Sequence, residues 1–395
     1  MALVQFVDMV GHAYRHNYAV GAFGVDDQAM LDGVLAAAEA SRAPVILNLI
    51  ESHFAERDFE LFAPTVVAAA RRAAVPVAIN FDHGTALAAA ARAISAGCNA
   101  VMVDASMQPL SDNLHLTREV AAMAHACGVA VEGELGYVPG VEGESADEHP
   151  GELAYTSAAE AKAYVERTGV DCLAVSIGTV HDRMKGAPKL DYNRLAKIHG
   201  AVSVPLVIHG GTGLNEEQTR RLISHGVAKI NYYTGLAEAA AKRIRANAAA
   251  SAGKGYAALR AGVRDAVREE VERCIRALGS GGRAAEVLSQ CRPWQEAAHV
   301  ALLHTPEDPE GARSGDMAAV LREGRQALQS IPGVRDIRVG QAMGRDGQYQ
   351  YCLLVTLASP AAIPAFQDHH ALRALTGKAA FALDNSVLAL EFAEL

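Results

Sequence analysis

The sequence predicts a (β/α)8 barrel of the TIM type, followed by a small α+β domain of ferredoxin-like order. Three observations carry this expectation. Short β-branched runs alternate with alanine-rich helical stretches through residues 19–234. Continuous apolar strands separated by helices mean a parallel sheet covered on both faces, and eight such units favour closure over an open doubly wound sheet. After residue 297 the rhythm changes to β-α-β-β-α-β, a split βαβ unit.

The eight runs are AVGAFGV (19–25), APVILNLI (43–50), VPVAINF (75–81), AVMVDAS (100–106), VAVEGELG (129–136), CLAVSIG (172–178), PLVIHGG (205–211) and AKINYYT (228–234). Polar residues of interest fall at their C-terminal ends, where barrel enzymes build active sites. Residues 235–278 read as long helices, LAEAAAKRIRANAAA and then YAALRAGVRDAVREEVERCIRAL. GSGGRA (279–284) breaks that pattern, and CRPWQEA follows with the only tryptophan. The expected division is a barrel with its C-terminal helices over 1–278, a linker over 279–296 and a second domain over 297–395. In the second domain, strands are expected at 298–305, 334–343, 349–358 and 386–394, and helices at 315–331 and 359–381.

Composition narrows the function. The chain has 395 residues, half of them hydrophobic, enough to bury a sizeable core. Its formal charge is −9 with no basic block, which argues against a nucleic-acid partner. No apolar run reaches membrane-spanning length, and the N-terminus MALVQFVDMVGHAYRH lacks signal-peptide features. The six cysteines (98, 127, 172, 274, 291, 352) form no CxxC motif. They read as buried thiols of a reducing cytoplasm.

The chemistry lies in three histidines at three strand ends: FDHGT (81–85), IGTVH (177–181) and VIHGG (207–211). Imidazoles on separate strands can converge on one metal and leave a coordination position open for substrate. Asp82, beside His83, supplies an acid/base. A lone histidine on a strand is usually structural; three at matching strand ends beside DHG point to a metal-dependent lyase.

With VDAS (103–106), EGELG (132–136), GVEGE (140–144), HGGTG (209–213) and KINYYT (229–234), these motifs resemble the class II, metal-dependent ketose-bisphosphate aldolases over about residues 1–278. The tagatose-bisphosphate branch looks most similar. The resemblance implies a zinc-dependent aldolase that cleaves a phosphorylated ketose to dihydroxyacetone phosphate, or a close analogue, plus an aldehyde. It implies His83, His181 and His209 as zinc ligands, with Asp104 and Glu134 holding a second cation or the displaced zinc. Asp82 would move the proton at the aldehyde-derived oxygen, and Glu142, on a mobile loop, the proton at the carbon nucleophile. Gly210, Gly211, Thr212 and Gly213 would cradle phosphate, with Asn231 and Thr234 as further substrate contacts.

The blander alternatives are that Asp104 caps a helix, that Glu142 is solvated charge, that Arg183 and Lys185 are loop cations and that Tyr232 and Tyr233 only pack. The remaining histidines read as structural. Departures from the resemblance cluster at the mouth. Gly24 stands where Asn is usual, Ile50 where Ser is usual, Asp182-Arg183-Met184 follow the second histidine, and Tyr232-Tyr233 fill NYYT. They imply kept metal chemistry and a changed substrate. The competing functions are a lyase or isomerase acting on a sugar acid or unphosphorylated ketose, and a non-catalytic scaffold.

The C-terminal segment resembles the stress-responsive α/β-barrel dimer (Dabb) domains through HVALLHT, IPGVRDIRVG, YQYCLLVTLAS, AFQDHHALRAL and VLALEF. HHALRA departs from the usual HPxH, with Leu372 at the second histidine's place. The resemblance implies pairing of sheets, and so a homodimer or homotetramer.

Overall fold

The computed structural model describes residues 2–55, 58–139, 155–181, 189–250, 255–303, 314–343, 349–375 and 387–393. All eight expected runs are strands: β1 (Val20–Gly24), β2 (Val45–Ile50), β3 (Val77–Gly84), β4 (Ala100–Val103), β5 (Ala130–Leu135), β6 (Cys172–Val175), β7 (Leu206–Ile208) and β8 (Val227–Tyr232). They close into a barrel in sequence order, with β1 pairing to β8 in parallel. Side chains alternate along each strand, so register decides which residues share the interior. Asn48 lies opposite Asn80, Ile50 opposite Asp82, Gly24 opposite Asn48 and Ala22 opposite Asn231.

The interior is layered. Near the N-terminal end it is apolar, with Val20, Ala22, Ile46, Ala78, Ala100, Ala130, Ala174 and Val207 in one buried cluster. The helix Phe6–Arg15 closes that end by adding Phe6, Met9, Val10 and Ala13 to the cluster. Above it, the inward positions turn polar, and the chemistry sits there. Connecting helices open on side-chain caps, among them Asp27 onto Met30 N–H, Ser157 onto Glu160 N–H and the Asn215–Gln218 capping box. Such caps fix where each strand's loop ends.

The long helical stretch after β8 is broken. Helices run over Thr234–Ala250, Tyr256–Arg260 and Val263–Leu278. Gly262, at φ 70°, sets the last break by taking a left-handed conformation that a helix interior excludes. Residues 279–293 lie in the barrel unit, which ends at Pro293. The helix Ala284–Gln290 packs Val287 into the cluster under the barrel, and Arg292 holds both oxygens of Asp8 at 2.8 and 2.9 Å.

The second unit carries β9 (Ala297–Leu303), β10 (Val334–Gln341), β11 (Tyr351–Leu357) and β12 (Val387–Ala393) in an antiparallel sheet of order β10-β11-β9-β12. With the helix Ser314–Gln329 after β9 and Ala362–Asp368 after β11, this is the expected ferredoxin-like order. Its core joins Leu321 and Leu328 to Val355, Leu357 and Phe366. The helix expected over 359–381 begins only at Ala362 and breaks at His369, which takes ψ 137°. The His369 ring accepts Ala371 N–H at 3.2 Å and starts a new turn over 370–375. All six cysteines are free thiols. No helix among the described residues is long and apolar enough to cross a membrane.

Candidate metal centre at the barrel mouth

β3 decides the geometry. Ala78, Asn80 and Asp82 share the inward face, and simple alternation sends His83 outward. The strand does not alternate there. His83 takes φ 53°, and the β3–β4 register shifts between Phe81 and Gly84. A bulge of this kind re-aims a side chain. Left-handed backbone at a residue with a Cβ costs roughly 1–2 kcal/mol. The result brings His83 and Asp82 to the same site.

His209 follows β7 directly, and His181 lies beyond β6. His83 Nε2 is 3.0 Å from His209 Nδ1, and His181 Nε2 is 3.4 Å from the same atom. The three rings meet edge to face. Carboxylates fix two tautomers: His83 Nδ1 donates to Asp104 Oδ2 and His209 Nε2 to Glu132 Oε1, both at 2.9 Å. That leaves the His209 Nδ1 lone pair facing His83 Nε2, so a positive charge, either the proton on His83 or a cation, belongs between the two nitrogens. Ligands about 2.0–2.1 Å from a tetrahedral zinc sit about 3.3–3.4 Å apart, close to the observed spacing. The donor set fits a divalent cation.

The charge balance agrees. Asp82, Asp104, Glu132 and Glu134 meet here, and Lys229 is the one buried ammonium among the described residues. Burial opposes a charged His83, yet Asp82, Asp104 and Glu134 together hold its pKa well above the ordinary value. Burial, then the charge on His83, pushes His209 well below it. Burial, then Asp104, raises Glu134 well above the usual carboxylate range. Glu134 Oε2 is buried without a hydrogen-bond partner among the described residues. Against burial, the His83 hydrogen bond holds Asp104 low, and Asp104 Oδ1 takes both N–H and Oγ–H of Ser106. Asp104 therefore orients His83 and also closes the turn after β4.

Asp82 is fully buried and held by three amides: Asn231 at 2.9 Å, Asn48 at 3.0 Å and Asn80 at 3.3 Å. Asn231, expected to contact substrate, donates from its amide to Asp82, and its oxygen accepts from Lys229 at 2.5 Å. Lys229 also pairs with Glu132 at 2.8 Å, which completes a chain from His209 through Glu132 to Lys229. Asn48, Asn80, Glu132 and Lys229 escaped the sequence reading. Their signal was polar residues at every second position inside apolar strands, as in INFD, VEGE and KIN, with Asn48 a single polar letter in NLI. Lys229→Met should destabilise the fold by about 3–5 kcal/mol by leaving Glu132 as an unpaired buried charge. Denaturant melts of both proteins check this; an unchanged midpoint would show that Glu132 finds another partner.

The HGGTG loop packs tightly. Gly210 takes φ 68°, and a Cβ there would lie 2.0 Å from the Val180 carbonyl oxygen, so only glycine lets this loop pass beside the one that carries His181. Gly211 donates its N–H to Asn231 O at 3.0 Å, so that donor is already used. Thr212 Oγ1 accepts from Gly235 N at 3.2 Å, next to Thr234, which opens the helix Thr234–Ala250. Gly213, at φ 90°, has open space on its Cβ side. Glu142, Asp182, Arg183, Met184 and Lys185 lie outside the described residues.

Comparison with known proteins settles the family. Residues 4–283 match the family model described as fructose-bisphosphate aldolase class-II. The chain belongs to the class II fructose-bisphosphate aldolase family. Residues 297–393 match the stress responsive A/B barrel domain, so this family member carries a Dabb domain behind its barrel. A fructose-bisphosphate aldolase of Geobacillus stearothermophilus is 39% identical, over 72% of this chain and 100% of the relative. A 6-phospho-5-dehydro-2-deoxy-D-gluconate aldolase of Shouchella clausii is 37% identical, over 59% of this chain and 80% of the relative. The crystal structure of the YdjI aldolase from Escherichia coli K12 superposes with a TM-score of 0.63 at 34% identity, covering 71% of this chain and 99% of that one. As a class II aldolase, the protein is a carbon–carbon lyase, and its family is generally metal-dependent.

Proposed function

We propose that this class II aldolase uses zinc to cleave a phosphorylated ketose into dihydroxyacetone phosphate, or a close analogue, and an aldehyde. The observation that carries the reading is the convergence of His83 Nε2, His181 Nε2 and His209 Nδ1, with Asp82 held beside them. Bound there, the metal supplies Lewis-acid polarisation of the ketone oxygen. Asp82 takes the proton of the C4 hydroxyl, and its three amide donors keep the carboxylate aimed. Asp104 and Glu132 set the tautomers and ring angles of His83 and His209. Asp104 and Glu134, with His83, form the position for a second or displaced cation. Glu142 carries the proton at the ketose-derived carbon. Gly210, Gly211, Thr212, Gly213 and Thr234 form the phosphate side, and Gly211 and Asn231 act there through the backbone and Asp82 that they hold. The names of two relatives, fructose-bisphosphate and phospho-dehydro-deoxygluconate aldolases, support a phosphorylated substrate.

Six free thiols suit a cytoplasmic protein. In the second unit, Leu390 and Phe392 on β12 are about half exposed, which supports sheet pairing in a homodimer or homotetramer. The test is release of dihydroxyacetone phosphate from a panel of ketose phosphates and free ketoses, with and without chelator. Chelator should abolish release, and zinc should restore it. Release that survives full metal removal would sink the metal assignment, and no release from any phosphorylated ketose would sink the substrate class. Glu142→Ala should slow isotope exchange at the three-carbon product while leaving substrate binding in place; unchanged exchange would remove Glu142 from the mechanism.

A further inference from the structure

The inward positions at the mouth divide into two kinds. Around β3, β5 and β7 they are polar: Asp82, Glu134 and His209. At the ends of β1, β2 and β8 they are Gly24, Ile50 and Tyr233. These three share one space. A Cβ at Gly24 would lie 2.7 Å from Tyr233 Cδ2 and 2.9 Å from Ile50 Cδ1, so the ring and the isoleucine fill the volume that a side chain on β1 would need. Ile50 is the register neighbour of Asp82. The Tyr233 ring spans from β8 across Gly24, and its hydroxyl donates to Asp26 Oδ2 on the loop after β1 at 3.0 Å. His53 packs its ring on the same tyrosine at 4.4 Å. The side beside Asp82 is therefore presented by an aromatic face and an aliphatic chain.

The charges on this rim point the same way. Asp26 and Asp27 follow β1, and Glu51 follows β2. Glu51 already accepts N–H and Oγ–H of Thr85 at 2.8 and 2.9 Å. A phosphate here would meet these carboxylates and the carbon of Ile50 and Tyr233.

We propose that the aldehyde half of the substrate is a short alkyl aldehyde, so that the substrate class is a ketose phosphate deoxygenated beyond the carbon whose hydroxyl Asp82 deprotonates. This rests on the aldolase reading above, because Asp82 places the aldehyde-derived oxygen next to Ile50. In cleavage, Asp82 receives the hydroxyl proton and the C3–C4 bond breaks. Its electron pair stays on the ketose-derived carbon, which is then protonated, and the alkyl fragment leaves as the carbonyl compound. No oxidant or reductant is needed.

The experiment uses the full zinc-loaded chain in the condensing direction, with dihydroxyacetone phosphate and two aldehydes of equal heavy-atom count, propanal and glycolaldehyde. Glyceraldehyde 3-phosphate is the charged control. Propanal is expected to win in kcat/KM by about 10–100-fold, the range that a hydroxyl isostere allows in an apolar pocket. Tyr233→Phe should keep that preference, because the hydroxyl serves Asp26. Tyr233→Ala should lose about tenfold of it, mainly through KM. Preference for glycolaldehyde or glyceraldehyde 3-phosphate in the unmodified chain overturns the proposal and leaves the aldolase reading standing. So does a Phe variant that behaves like the Ala variant. Failure of all three aldehydes to condense instead overturns the aldolase reading, and this proposal with it.

Discussion

His209→Ala is expected to strip bound zinc and turnover together. His209 Nδ1 is the atom that both other ligand nitrogens approach, at 3.0 and 3.4 Å. Its removal leaves two imidazoles for a metal that takes three protein ligands in open catalytic sites. It also cuts Glu132 from the ligand that it orients. Losing only an orienting partner typically costs about 10–100-fold in metal affinity, so losing the ligand should cost at least about 100-fold. Metal content after dialysis and zinc titration of the apo-protein measure this. The same outcome is expected for His83→Ala, and full zinc content in both variants would refute the ligand assignment.

Asp82→Ala is expected to separate what His209→Ala removes at once. Zinc should remain near stoichiometric while kcat falls about 10²–10⁴-fold, the usual worth of a positioned acid/base. Asp82 carries three amide hydrogen bonds from β2, β3 and β8, so the alanine variant also leaves Asn48, Asn80 and Asn231 without their acceptor. Asp82→Asn fills the space but cannot take a proton. Both variants should therefore share the kinetic loss and differ in stability. Near-normal cleavage by either would exclude Asp82 from proton transfer.

The strands were legible because each is a compact apolar run between helices, and DHG, VH and HGG are legible at their ends. Less visible was what lies within the runs. Glu132 and Lys229 are single charged letters inside apolar text, and only their pairing across the barrel shows that they hold His209 in place. The inward turn of His83 was invisible for another reason: it depends on a left-handed backbone angle at a residue other than glycine, which no letter of DHG announces. Gly262 and His369 broke helices that the apolar spacing would have continued. The segment 279–293 read as a linker from its glycines, yet Val287 and Arg292 tie it beneath the barrel.

The bulge at His83 reaches beyond aiming a ring. A left-handed backbone at His83 and a buried Glu134 oxygen with no hydrogen-bond partner among the described residues both raise the energy of the folded chain. A cation held by the proposed ligands would give that oxygen a partner and add its binding energy to the native state only. On the zinc assignment proposed above, zinc supply would help set how long the polypeptide survives heat and proteases, and the amount of intact enzyme in a cell would track metal nutrition as well as gene expression.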